Sequence, residues 1–255
     1  MNKRQIIKKE NENQFFDLIT AVDPSHVASE NYRRIKVSLE FANLDKNLKV
    51  IEISSASQGE AKTTTLLNLA YTYVEDGKKV IVIDMDFRRP KIHHLFKVPD
   101  KNGLSDYLAG NIGKEKAIQH SNRYGMDFIV RGSEVPYPTS LLSSKALEVF
   151  IKELRNEYDY IFIDCPPVLL LSDSVIISKF SDGMIFVVSQ VLATKDSSRE
   201  AIKYLKENKV NVLGAVFTSV NEKDSNYDKH YKYKYYSNHY DNKDEEKKSS
   251  PNNEK

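Results

Sequence analysis

Apolar segments of strand length alternate with amphipathic helical segments along most of the chain. The strand candidates span 50–54, 79–84, 127–130, 160–164, 184–188 and 212–217. Several of them are almost wholly apolar, which is typical of strands covered on both faces in a parallel sheet. Between them, apolar side chains recur with helical spacing, as at Leu66, Leu69, Ala70 and Tyr73. The alternation predicts one α/β domain: a doubly wound, mostly parallel sheet with helices on both faces.

The composition changes sharply near Val220. Residues 221–255 contain no Leu, Ile, Val, Met or Phe, and their eight lysines balance eight acidic residues. A segment without aliphatic side chains cannot offset the entropy of ordering, so we predict a disordered tail. The first 24 residues are polar and are predicted to form a flexible N-terminal segment. The expected divisions are therefore 1–24, a folded domain at 25–220, and a tyrosine-rich tail at 221–255.

Charge and cysteine content exclude several classes of protein. The chain has 255 residues and a formal net charge of +2, which argues against a protein that coats nucleic acid electrostatically. Its one cysteine, Cys165, excludes an internal disulfide and favours a reducing compartment. No apolar run reaches the roughly 18 residues that a spanning helix needs. We therefore expect a cytoplasmic protein, whose membrane association would come from a partner.

The first predicted strand leads into a loop of small residues and a Lys-Thr pair, after which a helical pattern begins at once. That layout is typical of a phosphate-binding P-loop. Backbone N–H groups at the helix N-terminus would surround the phosphates, Lys62 would neutralise their charge, and the Thr63 hydroxyl would ligate Mg²⁺. The predicted nucleotide-binding residues are Ser57, Gln58, Gly59, Glu60, Ala61, Lys62, Thr63 and Thr64. The alternative is an ordinary turn with a Lys-Thr pair on the surface.

Two alanines depart from the usual loop pattern. In G-x-x-x-x-G-K-[ST] the glycines would stand at the positions of Ala56 and Ala61. If residue 61 must adopt a positive φ, its methyl group costs on the order of 1 kcal/mol. Ala61 is therefore the more serious of the two substitutions for nucleotide binding.

Carboxylates follow two further predicted strands. Asp84 and Asp86 end one strand, and Asp164 ends another. Because the C-terminal ends of parallel strands face a common ligand crevice, we expect these side chains to lie near Lys62 and Thr63. There they can hold Mg²⁺ directly or through water. A single aspartate after a strand is usually a turn former, but three strand ends together predict nucleoside triphosphate binding.

A helical pattern with interspersed charges precedes the first strand. Ala28, Tyr32, Ile35 and Leu39 share one face of this segment. The simpler interpretation is an amphipathic helix with a solvated charged side, and the sharper one is a contact between subunits through the charges.

The motifs together resemble the bacterial tyrosine kinases of capsule and exopolysaccharide synthesis, called BY-kinases, which belong to the P-loop class that includes the ParA/MinD ATPases. The similar segments are Asp-x-Asp-x-Arg-Arg-Pro at 84–90, Gly-Leu-Ser-Asp-Tyr-Leu-x-Gly at 103–110, Pro-Tyr-Pro-Thr-Ser-Leu-Leu at 136–142, and Glu-x-x-Arg-x-x-Lys at 30–36. The tyrosine-rich tail is a fifth similarity. The resemblance covers roughly residues 25 to 240. Gln58, Ala61 and Lys36 depart from the family pattern of Pro, Gly and Arg, and Ser57 stands where partitioning ATPases usually carry a lysine.

The resemblance implies a non-specific protein-tyrosine kinase that uses ATP and Mg²⁺. Lys62 would contact the phosphates, while Thr63, Asp84 and Asp164 would hold the metal. Asp86 would be the base for the incoming tyrosine, or alternatively a residue that contacts the metal through water or pairs with Arg88. Autophosphorylation in trans would fall on Tyr227, Tyr231, Tyr233, Tyr235, Tyr236 and Tyr240, and oligomerisation would use Glu30, Arg33 and Lys36.

The partners implied by the resemblance are a membrane-embedded polysaccharide co-polymerase or adaptor that activates the kinase, further copies in a ring, and a cognate phosphotyrosine phosphatase. Nucleic acid is not expected. The adaptor would recruit the cytoplasmic chain to the inner face of the membrane, and phosphorylation of the tail would loosen the ring. Two other functions stay open at this point: a non-kinase P-loop ATPase switch, and a catalytically weakened scaffold of polysaccharide assembly.

Overall fold

A seven-stranded sheet organises the chain, in the strand order β3-β4-β2-β5-β1-β6-β7. The computed structural model describes residues 17–43 and 47–220. The strands are β1 (Val50–Ser55), β2 (Val80–Asp84), β3 (Gln119–Ser121), β4 (Met126–Ile129), β5 (Tyr160–Asp164), β6 (Gly183–Ser189) and β7 (Val212–Thr218). Every pairing is parallel except that of β3 with β4 at one edge. The predicted fold class and all six predicted strands are confirmed.

Helices connect the parallel strands. Within the described residues they are α1 (Ile19–Val22), α2 (Val27–Asn43), α3 (Lys62–Glu75), α4 (Ile92–Phe96), α5 (Leu104–Leu108), α6 (Lys114–Ala117), α7 (Pro138–Leu142), α8 (Lys145–Glu157), α9 (Asp173–Ile177) and α10 (Lys195–Glu207). Leu18 is buried and the Thr20 hydroxyl donates to Asn68 Oδ1 at 3.0 Å, so the folded part begins before residue 25. The predicted tail lies outside the described residues.

Alternate residues of the central strands supply two apolar layers. Ile51 and Ile53 of β1 belong to the layer that includes Leu66 and Tyr73 of α3. Val50 of the same strand belongs to the layer that includes Phe150 of α8. Both faces of the sheet are therefore covered by helices, which explains why the sequence of these strands shows near-continuous apolar runs. No helix in the described ranges, 17–43 and 47–220, combines the length and apolar character that a bilayer crossing requires.

The strand order places the ends of β2, β5 and β1 side by side. Asp84 pairs in register with Asp164 across β2 and β5, and Ile53 pairs with Asp164 across β1 and β5. The loop that follows β1 therefore begins beside both carboxylates, as expected where ligands bind at the C-terminal edge of a parallel sheet.

One carboxylic acid is buried in the middle of the sheet. Glu52 on β1 is completely buried, and it accepts hydrogen bonds from the Ser181 hydroxyl at 2.9 Å and from the Cys165 thiol at 3.6 Å. Burial raises the pKa of Glu52 to about 8, and the two hydrogen bonds only partly oppose that shift. The folded chain therefore keeps a proton that an unfolded chain, with a Glu pKa of about 4.3, releases.

Replacement of this acid should flatten the pH dependence of stability. The contribution of Glu52 is full below about pH 4 and is lost as the pH rises through the folded-state pKa near 8. Relative to Glu52→Gln, the wild type should lose up to about 1.4 kcal/mol of unfolding free energy per pH unit in this window. Urea unfolding of both proteins across the window measures the difference. Glu134→Gln, at an exposed site, should parallel the wild type, and parallel curves for Glu52→Gln would contradict the assignment.

Candidate nucleotide and metal site

The loop after β1 ends at the N-terminus of α3 with two of its residues in the left-handed conformation. Gly59 has φ +83° and Ala61 has φ +66°, both in the left-handed region. Ala61 is the N-cap of α3, and no side chain caps the first turn of this helix. The N–H groups of a first turn have no partner within the helix, so they are available to an anion such as a phosphate.

The alanine in the left-handed conformation is a local source of strain. A residue with a Cβ pays on the order of 1–2 kcal/mol there, whereas glycine adopts it freely. We expect Ala61→Gly to raise the free energy of unfolding by ~1 kcal/mol, equivalent to a few degrees in Tm. Thermal unfolding measures this effect. Ala109→Gly is the matched control: Ala109 has φ −79°, so the same change there should destabilise the protein, and an unstabilised Ala61→Gly would show that the methyl group is harmless.

Lys62 is the centre of a buried charge cluster. Its side chain is nearly buried, and its Nζ lies 3.0 Å from Asp86 Oδ2 and 3.4 Å from Asp164 Oδ1. Burial alone would lower the pKa of Lys62, but the charges of Asp164, Asp86 and Asp84 outweigh it and raise the pKa. Lys62 is therefore a permanent cation at neutral pH.

Thr63 and Asp164 are joined by a short hydrogen bond. The Thr63 hydroxyl donates to Asp164 Oδ2 at 2.6 Å, so the two predicted metal ligands lie together. Burial raises the pKa of Asp164, and Lys62 and Thr63 oppose that shift. The side chains that the sequence assigned to Mg²⁺ on β5 and α3 thus face the same point as Lys62.

Asp84 is turned toward the loop that follows its own strand. Its carboxylate accepts hydrogen bonds from the backbone N–H groups of Lys91 at 2.8 Å, Ile92 at 3.0 Å and Asp86 at 3.2 Å. Burial, and then the charge of Asp164, raises the pKa of Asp84 to about 8. Asp84 thus orders the loop that carries Asp86, and its role as a direct metal ligand stays a prediction.

Asp86 is bound on both sides. One oxygen pairs with Lys62, and Oδ1 accepts the backbone N–H of Arg89 at 3.0 Å. Arg88, which the sequence offered as an alternative partner, instead has its Nε 3.7 Å from Asp173 Oδ2. Asp86 is nevertheless buried beside Lys62, where either a base or a residue near the metal would stand.

The donor set fits a magnesium ion that is also held by a nucleotide. The buried carboxylates of Asp86 and Asp164 share one lysine, which leaves an excess of negative charge for a divalent cation to neutralise. Within the described residues no group of three or more His, Cys, Asp or Glu side chains could hold a metal alone. Mg²⁺ usually takes only one or two carboxylates, with waters and substrate phosphates completing its shell. Thr63 and Asp164 would be sufficient as the ligands that the protein contributes to Mg²⁺.

Two contributors to the site were not foreseen in their roles. Glu60 was predicted only as a loop residue, but its buried carboxylate accepts N–H groups from Ser57 and from the end of β6. Asp173 was not predicted at all, because one acidic residue at a helix start is an ordinary feature. It is buried and accepts a hydrogen bond from the Thr139 hydroxyl at 3.0 Å.

The charged residues predicted for oligomerisation make contacts within the chain. Arg33 lies 3.1 Å from Glu75 and 3.8 Å from Glu30. Lys36 is nearly buried and forms an ion pair with Asp76. The pairs with Glu75 and Asp76 join α2 to the C-terminal end of α3, and a role of Glu30, Arg33 and Lys36 between subunits stays a prediction. The six tail tyrosines lie outside the described residues.

The fold and the loop define a P-loop nucleotide-binding domain. A family model described as an AAA domain matches residues 48–212. The tyrosine-protein kinase YwqD of Bacillus subtilis is 34% identical over 86% of this chain and 91% of its own length. A putative tyrosine-protein kinase in the cps region of Klebsiella pneumoniae is 33% identical over 82% of this chain, but only 29% of that larger protein is matched.

A solved structure agrees with these relatives. The kinase domain of the Escherichia coli tyrosine kinase ETK superposes with a TM-score of 0.76 at 29% identity, covering 82% of this chain and 84% of that domain. The chain belongs to the bacterial tyrosine-protein kinases, within the AAA domain family. This membership favours the kinase interpretation over a non-kinase ATPase switch.

Proposed function

We propose that this chain transfers the γ-phosphoryl group of MgATP to tyrosine hydroxyls, and that its first substrate is the tyrosine cluster at 227–240 of another copy. Through this reaction it would regulate the synthesis and chain length of a capsular or exopolysaccharide. The observation that carries the proposal is that Lys62, Thr63 and Asp164 lie together at the C-terminal edge of the sheet, beside a helix N-terminus that no side chain caps.

The residues present divide the work of phosphoryl transfer. Bound MgATP would supply the transferable phosphoryl group, with Thr63 and Asp164 holding the metal and the loop N–H groups holding the phosphates. Lys62 would turn its Nζ from the carboxylates toward the phosphate oxygens. Such catalysis depends chiefly on positioning and on neutralising charge, which a buried permanent cation does well.

Asp86 is the candidate base because its ion-pair partner is the residue that would engage the phosphates. When Lys62 contacts the nucleotide, the Asp86 oxygen 3.0 Å from its Nζ becomes available to another donor. A tyrosine hydroxyl, with a pKa of about 10, starts protonated at neutral pH. Its proton would pass to Asp86 as the oxygen–phosphorus bond forms and the bond to the ADP oxygen breaks.

The proposed partners follow from the family. A membrane-embedded adaptor would activate the kinase and bring it to the membrane, copies of the chain would form a ring, and a phosphatase would reverse the modification. Each phosphate adds about −1.5 to −2 charges, so a phosphorylated tail would repel its neighbours and loosen the ring.

A mixing experiment tests transfer between copies. A chain cut after Val220 keeps the site but has no tail tyrosines, and Lys62→Met keeps the tail but lacks the phosphate-binding cation. With MgATP and the adaptor's cytoplasmic fragment, we expect phosphotyrosine on the Lys62→Met chain only when the cut chain is present. Mass spectrometry of the mixture measures this.

Two outcomes would contradict the proposal in different ways. Labelling of the intact wild type without labelling of Lys62→Met in the mixture would place the transfer within one chain. Absence of phosphotyrosine in every sample, the intact wild type included, would contradict the kinase activity itself.

A further inference from the structure

Glu60 ties the phosphate-binding loop to two strands of the sheet, to β6 through its buried carboxylate and to β7 through its backbone carbonyl. Its Oε1 accepts the backbone N–H of Ser57 at 2.6 Å, and its Oε2 accepts the backbone N–H of Ser189, the last residue of β6, at 3.0 Å. Its own carbonyl oxygen accepts the hydroxyl of Thr218, the last residue of β7, at 3.0 Å. The side chain is 1% exposed, so these contacts are shielded from water.

Such a carboxylate is unfavourable to bury unless its hydrogen bonds are made. Burial raises the pKa of Glu60, and the N–H groups of Ser189 and Ser57 oppose that shift. The two backbone amides compensate the carboxylate for its burial. A group placed at this cost, between two backbone segments, fixes their separation.

The loop needs such a fixed point because its backbone on both sides of Glu60 is unusual. Gly59 and Ala61 both have positive φ, and a Cβ on Gly59 would lie 3.3 Å from Leu192 Cδ1 in the segment after β6. An alanine at position 61 does not favour the left-handed conformation by itself. An anchor at position 60 holds it there.

We propose that Glu60 is a positioning residue that fixes the phosphate-binding conformation of residues 57–61, and so allows alanine at position 61. This inference rests on the proposed binding of MgATP to the loop. Glu60 need not touch the nucleotide: it acts through the backbone N–H groups whose directions it sets.

Glu60→Gln is the direct test, since the amide has one acceptor oxygen where the carboxylate supplies two. Its NH₂ group would face the N–H of Ser57 or of Ser189, and because both groups are donors that hydrogen bond would be lost. We expect MgATP affinity, measured by calorimetry, to fall about ten-fold, as for loss of a hydrogen bond to a charged group. Thr218→Val, which removes the hydroxyl that binds the Glu60 carbonyl, should weaken affinity in the same direction and covers the case in which Glu60→Gln fails to fold.

A matched control separates positioning of the loop from general stabilisation. Asp182 likewise accepts two backbone N–H groups, of Lys49 at 2.7 Å and Val50 at 2.8 Å, but at the opposite end of β1. Asp182→Asn should lower thermal stability and leave MgATP affinity unchanged.

The MgATP affinity of the Glu60→Gln, Ala61→Gly double variant distinguishes positioning of the loop from a merely structural role. Glycine adopts the left-handed conformation without the anchor. The factor by which Glu60→Gln lowers MgATP affinity should therefore be at least about three times smaller in the Ala61→Gly background than in the wild type. Equal losses in both backgrounds, or wild-type affinity in folded Glu60→Gln, would overturn the inference while leaving the kinase proposal standing. A wild type that binds no MgATP would overturn both.

Discussion

Lys62→Met should reduce MgATP-dependent tyrosine phosphorylation by about 10³-fold or more, because it removes the cation that pairs with Asp86 and Asp164 in the described site. Lys62 also separates those carboxylates in the free protein. Its loss leaves Asp86 and Asp164 without their ion-pair partner, so the variant should be less stable as well. Anti-phosphotyrosine detection measures activity, and circular dichroism shows whether the variant is folded.

Lys49→Met is the matched control for this substitution. Lys49 is also partly buried and its Nζ donates to the carbonyl oxygens of Arg155 at 3.0 Å and Tyr158 at 3.4 Å, but it lies at the start of β1, away from the site. It should keep wild-type phosphorylation. A folded Lys62→Met that retains more than about a tenth of wild-type activity would exclude the proposed role.

Asp164→Asn should have the second largest effect, a loss of about 10²-fold or more in phosphorylation together with a higher Mg²⁺ requirement. An asparagine keeps the shape but supplies no negative charge to the metal, and its NH₂ group can face the Thr63 hydroxyl. Titration of activity with MgCl₂ at saturating ATP separates weaker metal binding from a slower step.

The same substitution should spare the fold. Asp164 and Asp84 are neighbouring buried carboxylates, and the charge of Asp164 is one cause of the raised pKa of Asp84. Removing this charge relieves like-charge repulsion with Asp84 but also removes one of the two ion pairs of Lys62, so Asp164→Asn should lower Tm less than Lys62→Met does. Asp127→Asn, on β4 and outside the site, is the control for activity. An unchanged Mg²⁺ dependence in Asp164→Asn would remove this residue from the metal site.

Features encoded by local pattern could be predicted from the sequence. The central strands were visible because both of their faces are buried, and the site followed from the rule that parallel strand ends meet at one edge. β3 was missed because its three residues, Gln119, His120 and Ser121, are polar and have no apolar period. The short helices α1, α4 to α7 and α9 were missed because four or five residues cannot show a 3.6-residue pattern clearly.

Contacts between distant parts of the chain could not be predicted. Glu60 reaches Ser189 and Thr218, which are 129 and 158 residues away. Arg33 and Lys36 find Glu75 and Asp76, 42 and 40 residues away. The spacing of these residues along the sequence does not predict such partners. The left-handed conformation of Ala61, by contrast, was a stated risk because glycine usually stands there.

We propose that the strand ends of β1, β2 and β5 bind one MgATP and deliver its phosphoryl group to tyrosine. Mass-spectrometric mapping after incubation with MgATP and the adaptor fragment, in parallel with a measurement of ATP consumed, tests it most directly. We expect phosphotyrosine within residues 227–240, none when Mg²⁺ is removed by EDTA, and none in Lys62→Met alone. Consumption of ATP by the wild type with no phosphotyrosine on any chain would contradict it.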